Sequence, residues 1–316
     1  MPVANERICL IVNPSAGGGR AAQLAPQAES ELRAKGLQVR RVDTRDLADA
    51  RELAIGAARD GEAVVVLSGD GAVGAVAGAL REVPGAVLGV LPGGRGNDFV
   101  RALGISQDLR EACATIAAGS VRAVDMGEVE ATGGGGEPGA GRMFVGIASA
   151  GFDSDANRIA NEAPAALGNL VYAYGALRAL LSWRPARFQI ELDPPGERHS
   201  FLAYTVGAAN SPSYGGGMRA APAALLDDGR LEVLVLENVG KLTFLTKILP
   251  RVFSGTHADH PRVHSFRARE VLIEADRPFA LYADGDPIGE LPLRVRAVAG
   301  AINVLVPSGA GGAFAR

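Results

Sequence analysis

Three glycine-rich turns in this chain of 316 residues carry residue types suited to phosphate chemistry. The first, Asn13-Pro14-Ser15-Ala16-Gly17-Gly18-Gly19, follows an apolar run from Ile8 to Val12 and opens a helix-compatible stretch. Backbone of that kind can approach an oxyanion without side-chain obstruction. The second, Ser68-Gly69-Asp70-Gly71-Ala72-Val73, sets a carboxylate between two glycines. An aspartate there can bind magnesium directly or through water while flanking N–H groups face phosphate oxygens, or it can simply bond its own backbone. The third, Leu91-Pro92-Gly93-Gly94-Arg95-Gly96-Asn97-Asp98-Phe99, places polar side chains at a helix start, where Asn97 or Asp98 could serve as an N-cap. One such turn alone is equally a tight strand-to-helix connection; three together argue for a nucleotide. Near the C-terminus, Asp284-Gly285-Asp286 lies between strand-like runs and has the composition of an ordinary hairpin turn.

The elements that must position these turns are legible as patterns. Ile8 to Val12, Ala63 to Leu67 and Ala86 to Leu91 are continuous apolar runs of strand length, each followed by a glycine-rich turn and a helix-compatible stretch. That alternation predicts a parallel sheet covered by helices, with the turns along the carboxyl edge where open α/β sheets bind ligands. After Val121 the pattern changes. Strand-like runs at Val124 to Val129, Met143 to Ile147, Arg187 to Leu192, Leu202 to Ala208 and Leu231 to Leu236 are separated mostly by turns. Thr132 to Gly141, with six glycines and one proline in ten residues, reads as a long hairpin connection. Helical interruptions are expected from Leu167 to Trp183 and from Val239 to Phe253, with strands resuming at about Val271 and continuing to Val306. The expected organisation is an α/β nucleotide-binding domain over 1–121, with 307–316 as a candidate return to it, and a β-rich lipid-substrate domain over 122–306.

Composition narrows the function classes. A formal net charge of −3 and a pI near 5.9 provide no basic footprint for nucleic acid. Cys9 and Cys113 lie in no metal-type or redox-type pair, which suits a reducing cytoplasm. The N-terminus lacks a signal pattern, and no uncharged apolar run reaches the roughly 18 residues of a spanning helix. His257, His260 and His264 flank Pro261 and are expected in a loop rather than at a metal. Tyr172, Tyr174, Leu177, Leu180, Leu181, Trp183 and Arg184 are expected to pack a core, with a lipid entrance or bilayer contact as the alternative.

At this point the chain resembles the diacylglycerol kinase catalytic family, bacterial lipid kinases that share fold and motifs with sphingosine and ceramide kinases. The resemblance rests on the three turns, on Val124-Asp125-Met126-Gly127, on Gly151-Phe152-Asp153, on Asn210 with Tyr214-Gly215-Gly216-Gly217-Met218, on Asp227-Asp228-Gly229-Arg230-Leu231, and on Asp284-Gly285-Asp286. It implies ATP in a cleft between an N-terminal α/β domain and a C-terminal β-sandwich, with a lipid alcohol entering from the sandwich side. It places nucleotide contacts at Asn13, Pro14, Ser15, Ala16, Gly17, Thr44, the segment from Gly69 through Asp70, Gly71 and Ala72 to Ala75, and Gly94, Arg95, Asn97 and Asp98. The general base matches Asp286, and a structural magnesium would take Asp228 with the carbonyls of Leu225 and Arg230.

The chemistry implied is phosphoryl transfer, which proceeds by alignment and charge dispersal more than by covalent catalysis. Asp70, Asp98, Asp125 and Asp284 would furnish hard oxygen ligands for Mg2+ and its waters, and Asp286 would take the proton of the lipid hydroxyl. The implied reaction converts diacylglycerol to phosphatidic acid at the membrane surface, which would bring a cytoplasmic protein to the inner membrane face; a homodimer is left open. Several positions depart from the family pattern. Ser68 replaces a glycine, Ala72 a threonine, Gly74 an asparagine, Ala75 a glutamate, Arg95 a threonine and Asp286 a glutamate. Arg95 could pair with a phosphate or block the pocket. Two alternatives therefore stand beside the lipid kinase: a kinase of a soluble substrate, as in NAD kinases and phosphofructokinases, and a non-catalytic nucleotide or lipid sensor.

Overall fold

A computed structural model describes residues 6–118, 120–131, 141–162, 171–309 and 312–315. The hairpin connection expected over Thr132 to Gly141 lies outside the described residues except at its last position, as does the start of the helix expected from Leu167. The side chains of Asp153, Tyr172 and Leu177 are likewise outside them.

The first part alternates strands and helices: β1 (Arg7–Val12), α1 (Arg20–Ala34), β2 (Gln38–Asp43), α2 (Leu47–Arg59), β3 (Ala63–Ser68), α3 (Asp70–Leu80), β4 (Val87–Pro92), α4 (Asp98–Ala102) and α5 (Leu109–Ala118). The pairing is parallel throughout, in the order β4-β3-β1-β2. β1, β3 and β4 are covered on both faces, which is why they read as unbroken apolar runs. β2 lies at the edge of the sheet and is correspondingly charged. The helices bury stripes of small residues, Ala21, Ala25 and Ala28 on α1 and Ala50, Ala54 and Ala57 on α2, so they lie close on the sheet.

The second part is a β-sandwich built from β5 (Ser120–Ala131), β6 (Arg142–Phe144), β7 (Ile147–Gly151), α6 (Phe152–Glu162), α7 (Val171–Ser182), β8 (Ala186–Leu192), β9 (Glu197–Ala209), β10 (Leu231–Glu237), α8 (Lys241–Thr243), α9 (Leu249–Val252), β11 (Val263–Ala268), β12 (Glu270–Ala275), β13 (Ala280–Ala283), β14 (Asp286–Glu290) and β15 (Leu293–Val306). β15 joins the two parts. It runs antiparallel to β5 for most of its length, pairs with β12 near its start, and ends parallel to β4, with Asn303 opposite Val87. Its last residues, Val304 to Val306, belong to the first core, whereas Leu293 and Val295 belong to the second. Ala313 and Phe314 also pack on the first core.

Three expectations need correction. The single strand from Met143 to Ile147 is two, β6 and β7, because the amides of Val145 and Gly146 turn away from the ladder to bind the Asp284 carboxylate. Strands resume at β11, before Val271, so His264 sits on a strand and pairs with Glu237. The helix from Val239 to Phe253 is interrupted by a looser π-type turn over Phe244–Ile248, just ahead of Pro250, which has no N–H to donate. The three histidines do not converge: the Nε2 of buried His257 lies 3.0 Å from the Ala220 carbonyl, and His260 accepts from Arg262 N.

Candidate active site

The three turns stack at the carboxyl ends of β1, β3 and β4. A Cβ on Gly94 would stand 2.5 Å from Gly69 Cα, and one on Gly17 2.6 Å from the Gly93 carbonyl oxygen, so the third turn lies against the backbone of both others. Asn13 closes the first turn by accepting from Ser15 N and Oγ at 3.1 and 2.8 Å. Asn97, in the left-handed region at φ 52°, holds the third turn by accepting from Gly94 N at 2.8 Å and donates to Gln107. Around them is a cleft of about 520 Å³, lined by Asn13, Ser15, Ala16, Gly17, Gly69, Asp70, Gly71, Ala72, Gly94, Arg95, Asp98, Asp284 and Asp286 among others. Pro14, Thr44 and Asn97 are not among the lining residues. Thr44 is tied to β1 instead, its N and Oγ1 both donating to the Val12 carbonyl.

Each carboxylate of the cleft except Asp286 accepts from two backbone amides of another segment. Asp70 accepts from Asp98 N at 3.1 Å and Phe99 N at 2.9 Å, capping α4 from a neighbouring turn rather than bonding its own. Asp98 accepts from Gly216 N and Gly217 N, both at 2.7 Å, and so ties α4 to the sandwich. Asp284 accepts from Val145 N and Gly146 N, both at 2.8 Å. The Asp70 and Asp98 carboxylates also come together, each placing Oδ2 within 3.2 Å of where a Gly96 Cβ would be.

Asp284-Gly285-Asp286 is a hairpin turn, and it lines the cleft. Asp284 at φ 50° and Gly285 at φ 91° are the two central residues of a tight turn between β13 and β14, with Ala283 paired to Asp286. That turn overhangs the second phosphate turn, with Asp286 Oδ2 3.5 Å from a Cβ position on Gly71. Asp286 is exposed to solvent. Burial drives the Asp284 pKa up to about 7, and the nearby charges of Asp70 and Asp286 add to the rise while the two amides oppose it. Burial likewise raises Asp98, assisted by Asp70. Glycine at 74 is part of this arrangement, since a Cβ there would meet Asp284 Oδ2 at 2.9 Å.

Asp125 and Asp228 do not join the cleft. Asp125 is buried and accepts from Gly229 N at 2.6 Å and Gly300 N at 2.7 Å, fastening the loop before β10 to β15. Asp228 accepts from Arg230 N and pairs with the Arg267 guanidinium. Among the described residues no three acidic, histidine or cysteine side chains form a metal cage. Magnesium, though, is commonly held by one or two carboxylates together with substrate phosphates and waters, and the crowded charges of Asp70, Asp284 and Asp286 are what a cation would relieve.

Some participants were not legible beforehand. Val145 and Gly146 act through backbone amides, which leave no mark on side-chain pattern, and Leu47 lines the cleft from the start of α2. Ser68 also lines the cleft, its buried hydroxyl without a partner among the described residues. Arg95 is exposed at the cleft and makes no ion pair with the described residues.

Known proteins complete the comparison. Residues 7–129 match the diacylglycerol kinase catalytic domain, and residues 146–306 match the YegS C-terminal NAD kinase beta sandwich-like domain. A diacylglycerol kinase of Mycobacterium tuberculosis is 32% identical over 305 residues, covering 95% of each chain. One from Bacillus subtilis is 27% identical over 291 residues, covering 91% of this chain and 92% of its own. The crystal structure of a diacylglycerol kinase from Bacillus anthracis superposes with a TM-score of 0.73 at 22% identity, covering 96% of this chain and 98% of that one, and so shares the fold. With the three glycine-rich turns, the overhanging acidic hairpin and matches that span nearly its whole length, the chain belongs to the diacylglycerol kinase family of lipid kinases.

Proposed function

We propose that the protein transfers the γ-phosphate of ATP to the hydroxyl of diacylglycerol, yielding phosphatidic acid and ADP. The observation that carries this reading is the convergence of three amide-lined turns and the Asp284–Asp286 hairpin on one cleft, which adjoins an apolar cavity at Tyr214 and Gly215. The phosphates would lie on the turns, where the Gly17 amide and the Asp70 to Ala72 amides opening α3 would donate; the amides of Asn13, Ser15 and Ala16 are engaged within the protein. The Arg95 guanidinium, without an ion pair among the described residues, adds a charge-assisted donor in place of the missing threonine hydroxyls. Base and ribose would occupy the adjoining cavity of about 480 Å³ along α2 and α3, which shares Leu47, Gly71, Asp284 and Asp286 with the cleft. The small residues Gly74 and Ala75 widen that cavity.

The exposure of Asp286 above the second turn supports its role as the proton acceptor. As the lipid hydroxyl oxygen bonds to the γ-phosphorus, its proton passes to an Asp286 carboxylate oxygen and the bond from phosphorus to the bridging oxygen breaks. Mg2+, held by Asp70 and Asp284, would disperse charge on the phosphate oxygens. The Asp98 ties to Gly216 and Gly217 keep the two sides of the cleft in register.

The test is transfer of labelled γ-phosphate to diacylglycerol, sphingosine, ceramide and phosphatidylglycerol in mixed micelles. Diacylglycerol should be labelled, and Asp286→Asn should lower kcat by about 100-fold to 10,000-fold with ATP binding retained. An Asp286→Asn enzyme of unchanged kcat would remove the base assignment. ATP binding without label on any lipid would favour the soluble-substrate or sensor alternatives.

A further inference from the structure

The helix α4 carries Asp98 and follows directly on the third turn, yet it is only five residues long, too short to be stable by itself. Its N-terminal end is held by the Asp70 carboxylate and, through Asp98, by Gly216 N and Gly217 N. Its other end is held by the segment that follows β15. Ala313 N donates to the Ala102 carbonyl at 2.8 Å, one of the carbonyls that a helix leaves without an internal partner. Gly312, at φ 92°, passes so close that a Cβ there would stand 2.5 Å from the Ala102 oxygen, an approach that only glycine allows. On its far side the same segment grips the connection between β9 and β10. Leu226 N donates to the Ala313 carbonyl at 2.7 Å, and Ala315 N donates to Asp227 Oδ1 at 2.6 Å. Arg122 closes the contact, its guanidinium 3.0 Å from Asp227 Oδ2 and 4.2 Å from the centroid of the Phe314 ring.

These bonds form a ring. From Asp98 it runs to Gly216 and Gly217, along the β9–β10 connection to Leu226, across Ala313, and back to Ala102 at the other end of α4. The connection is anchored in turn, since the Leu226 carbonyl accepts from Asp125 N at 2.6 Å and the Asp125 carboxylate accepts from Gly229 N and Gly300 N. We infer that residues 312–315 are a strap that positions α4, and through it Asp98 and the third glycine-rich turn, for the nucleotide. Arg101 carries the position into the turn: from the last turn of α4 its guanidinium donates to the Gly96 carbonyl. Without Ala313 the helix is held at one end only, and Arg95, Gly96 and Asn97 are free to move with it. Ala313 lies outside the cleft lining, so it acts as a positioning residue. The geometry of the strap stands by itself, whereas its consequence for the nucleotide rests on the ATP site proposed above. Ala313 and Phe314 also pack on the first core, so a loss of stability alone does not distinguish a strap from a piece of core.

The test compares the full chain with one lacking residues 312–316, and with Phe314→Ser, which loosens the strap and leaves its backbone in place. In the shortened chain, hydrogen–deuterium exchange read on peptides should quicken about 10-fold or more over 96–105 and 212–219. Peptides of the second core that include Phe188 and Val233 should exchange as in the full chain. The Kd for a non-hydrolysable ATP analogue and the KM for ATP should both rise about 10-fold, because a loosened turn must be ordered on binding, while the KM for diacylglycerol stays within about 2-fold. A shortened chain that melts lower but keeps its exchange over 96–105 and 212–219 would overturn the inference, since the segment would then serve the core alone. So would faster exchange there with an unchanged nucleotide Kd. If the shortened chain does not fold, Phe314→Ser decides: changes of about 3-fold confined to the same two segments uphold the strap, and no change, or an even change over the first part of the chain, removes it. A full chain that binds no nucleotide would remove the ATP site and with it the strap's purpose; a full chain that binds ATP but labels no lipid would remove only the lipid-kinase reading.

Discussion

At the scale of single residues, Asp284 is the group whose protonation the fold controls most visibly. Its native pKa of about 7 stands above a reference of 3.8. Below about pH 4 both folded and unfolded chains are protonated there and the residue costs nothing. As pH rises toward 7 the unfolded chain gives up its proton first, so the native state loses stability across that window. Asp284→Asn cannot ionise and should lack that decline. Urea midpoints of wild type and variant, measured from pH 4 to 8, should therefore converge or cross as pH rises, with a differential on the order of 1–3 kcal/mol. Parallel profiles would show that Asp284 does not titrate as its surroundings demand. A constant offset is expected as well, because asparagine turns one acceptor into a donor facing Val145 N or Gly146 N; the slope is the diagnostic.

At the scale of elements, the three glycine-rich turns behave as one body. Asp70 of the second turn caps α4 of the third, and Gly94 approaches the backbone of Gly69 too closely for any side chain. Gly94→Ala would put a methyl group 2.5 Å from Gly69 Cα, a contact against backbone that rotamer change cannot relieve. The third turn must move outward, taking Arg95 with it. The expected result is a stability loss of about 1–3 kcal/mol and nucleotide binding weakened by about 10-fold or more, read by thermal melting and by calorimetric titration with a non-hydrolysable ATP analogue. Binding unchanged in a destabilised variant would show that the stacking of the turns serves the fold alone.

At the scale of the molecule, the two hydrophobic cores share one continuous sheet, with β15 contributing to both. Asp98 and Asp125 add carboxylate bridges between segments far apart in sequence. Such sharing predicts that the cores unfold together. Trp183 is the single tryptophan of the chain and lies in the second core, packed edge-on against Phe152 and stacked with Tyr204, so its fluorescence reports that core alone. Denaturation curves from Trp183 fluorescence and far-ultraviolet circular dichroism should superimpose. Separated transitions would mean that the β5 and β15 spine does not couple the two parts. No helix among the described residues is long and apolar enough to cross a membrane.

The sequence alone determined the α/β alternation, the three turns and their common sheet edge, because strand runs buried on both faces and glycine-rich exits are local patterns in the chain. It also singled out Asp70, a carboxylate set between two glycines at the end of an apolar strand, whereas Asp98, Asp284 and Asp286 were marked by the family resemblance. What those carboxylates touch was decided only by tertiary structure. Asp70 binds amides 28 and 29 residues away, Asp98 amides 118 and 119 away, and Asp284 amides 139 and 138 away. Amide donors are identical at every residue but proline, so no pattern could announce Val145, Gly146, Gly216 or Gly217 as partners. Asp125 shows the reverse case: as an acid in a strand it resembled its neighbours of the cleft, yet the fold carries it away to hold Gly229 and Gly300. Composition marks which residues can carry charge, while long-range packing determines which charges share a site.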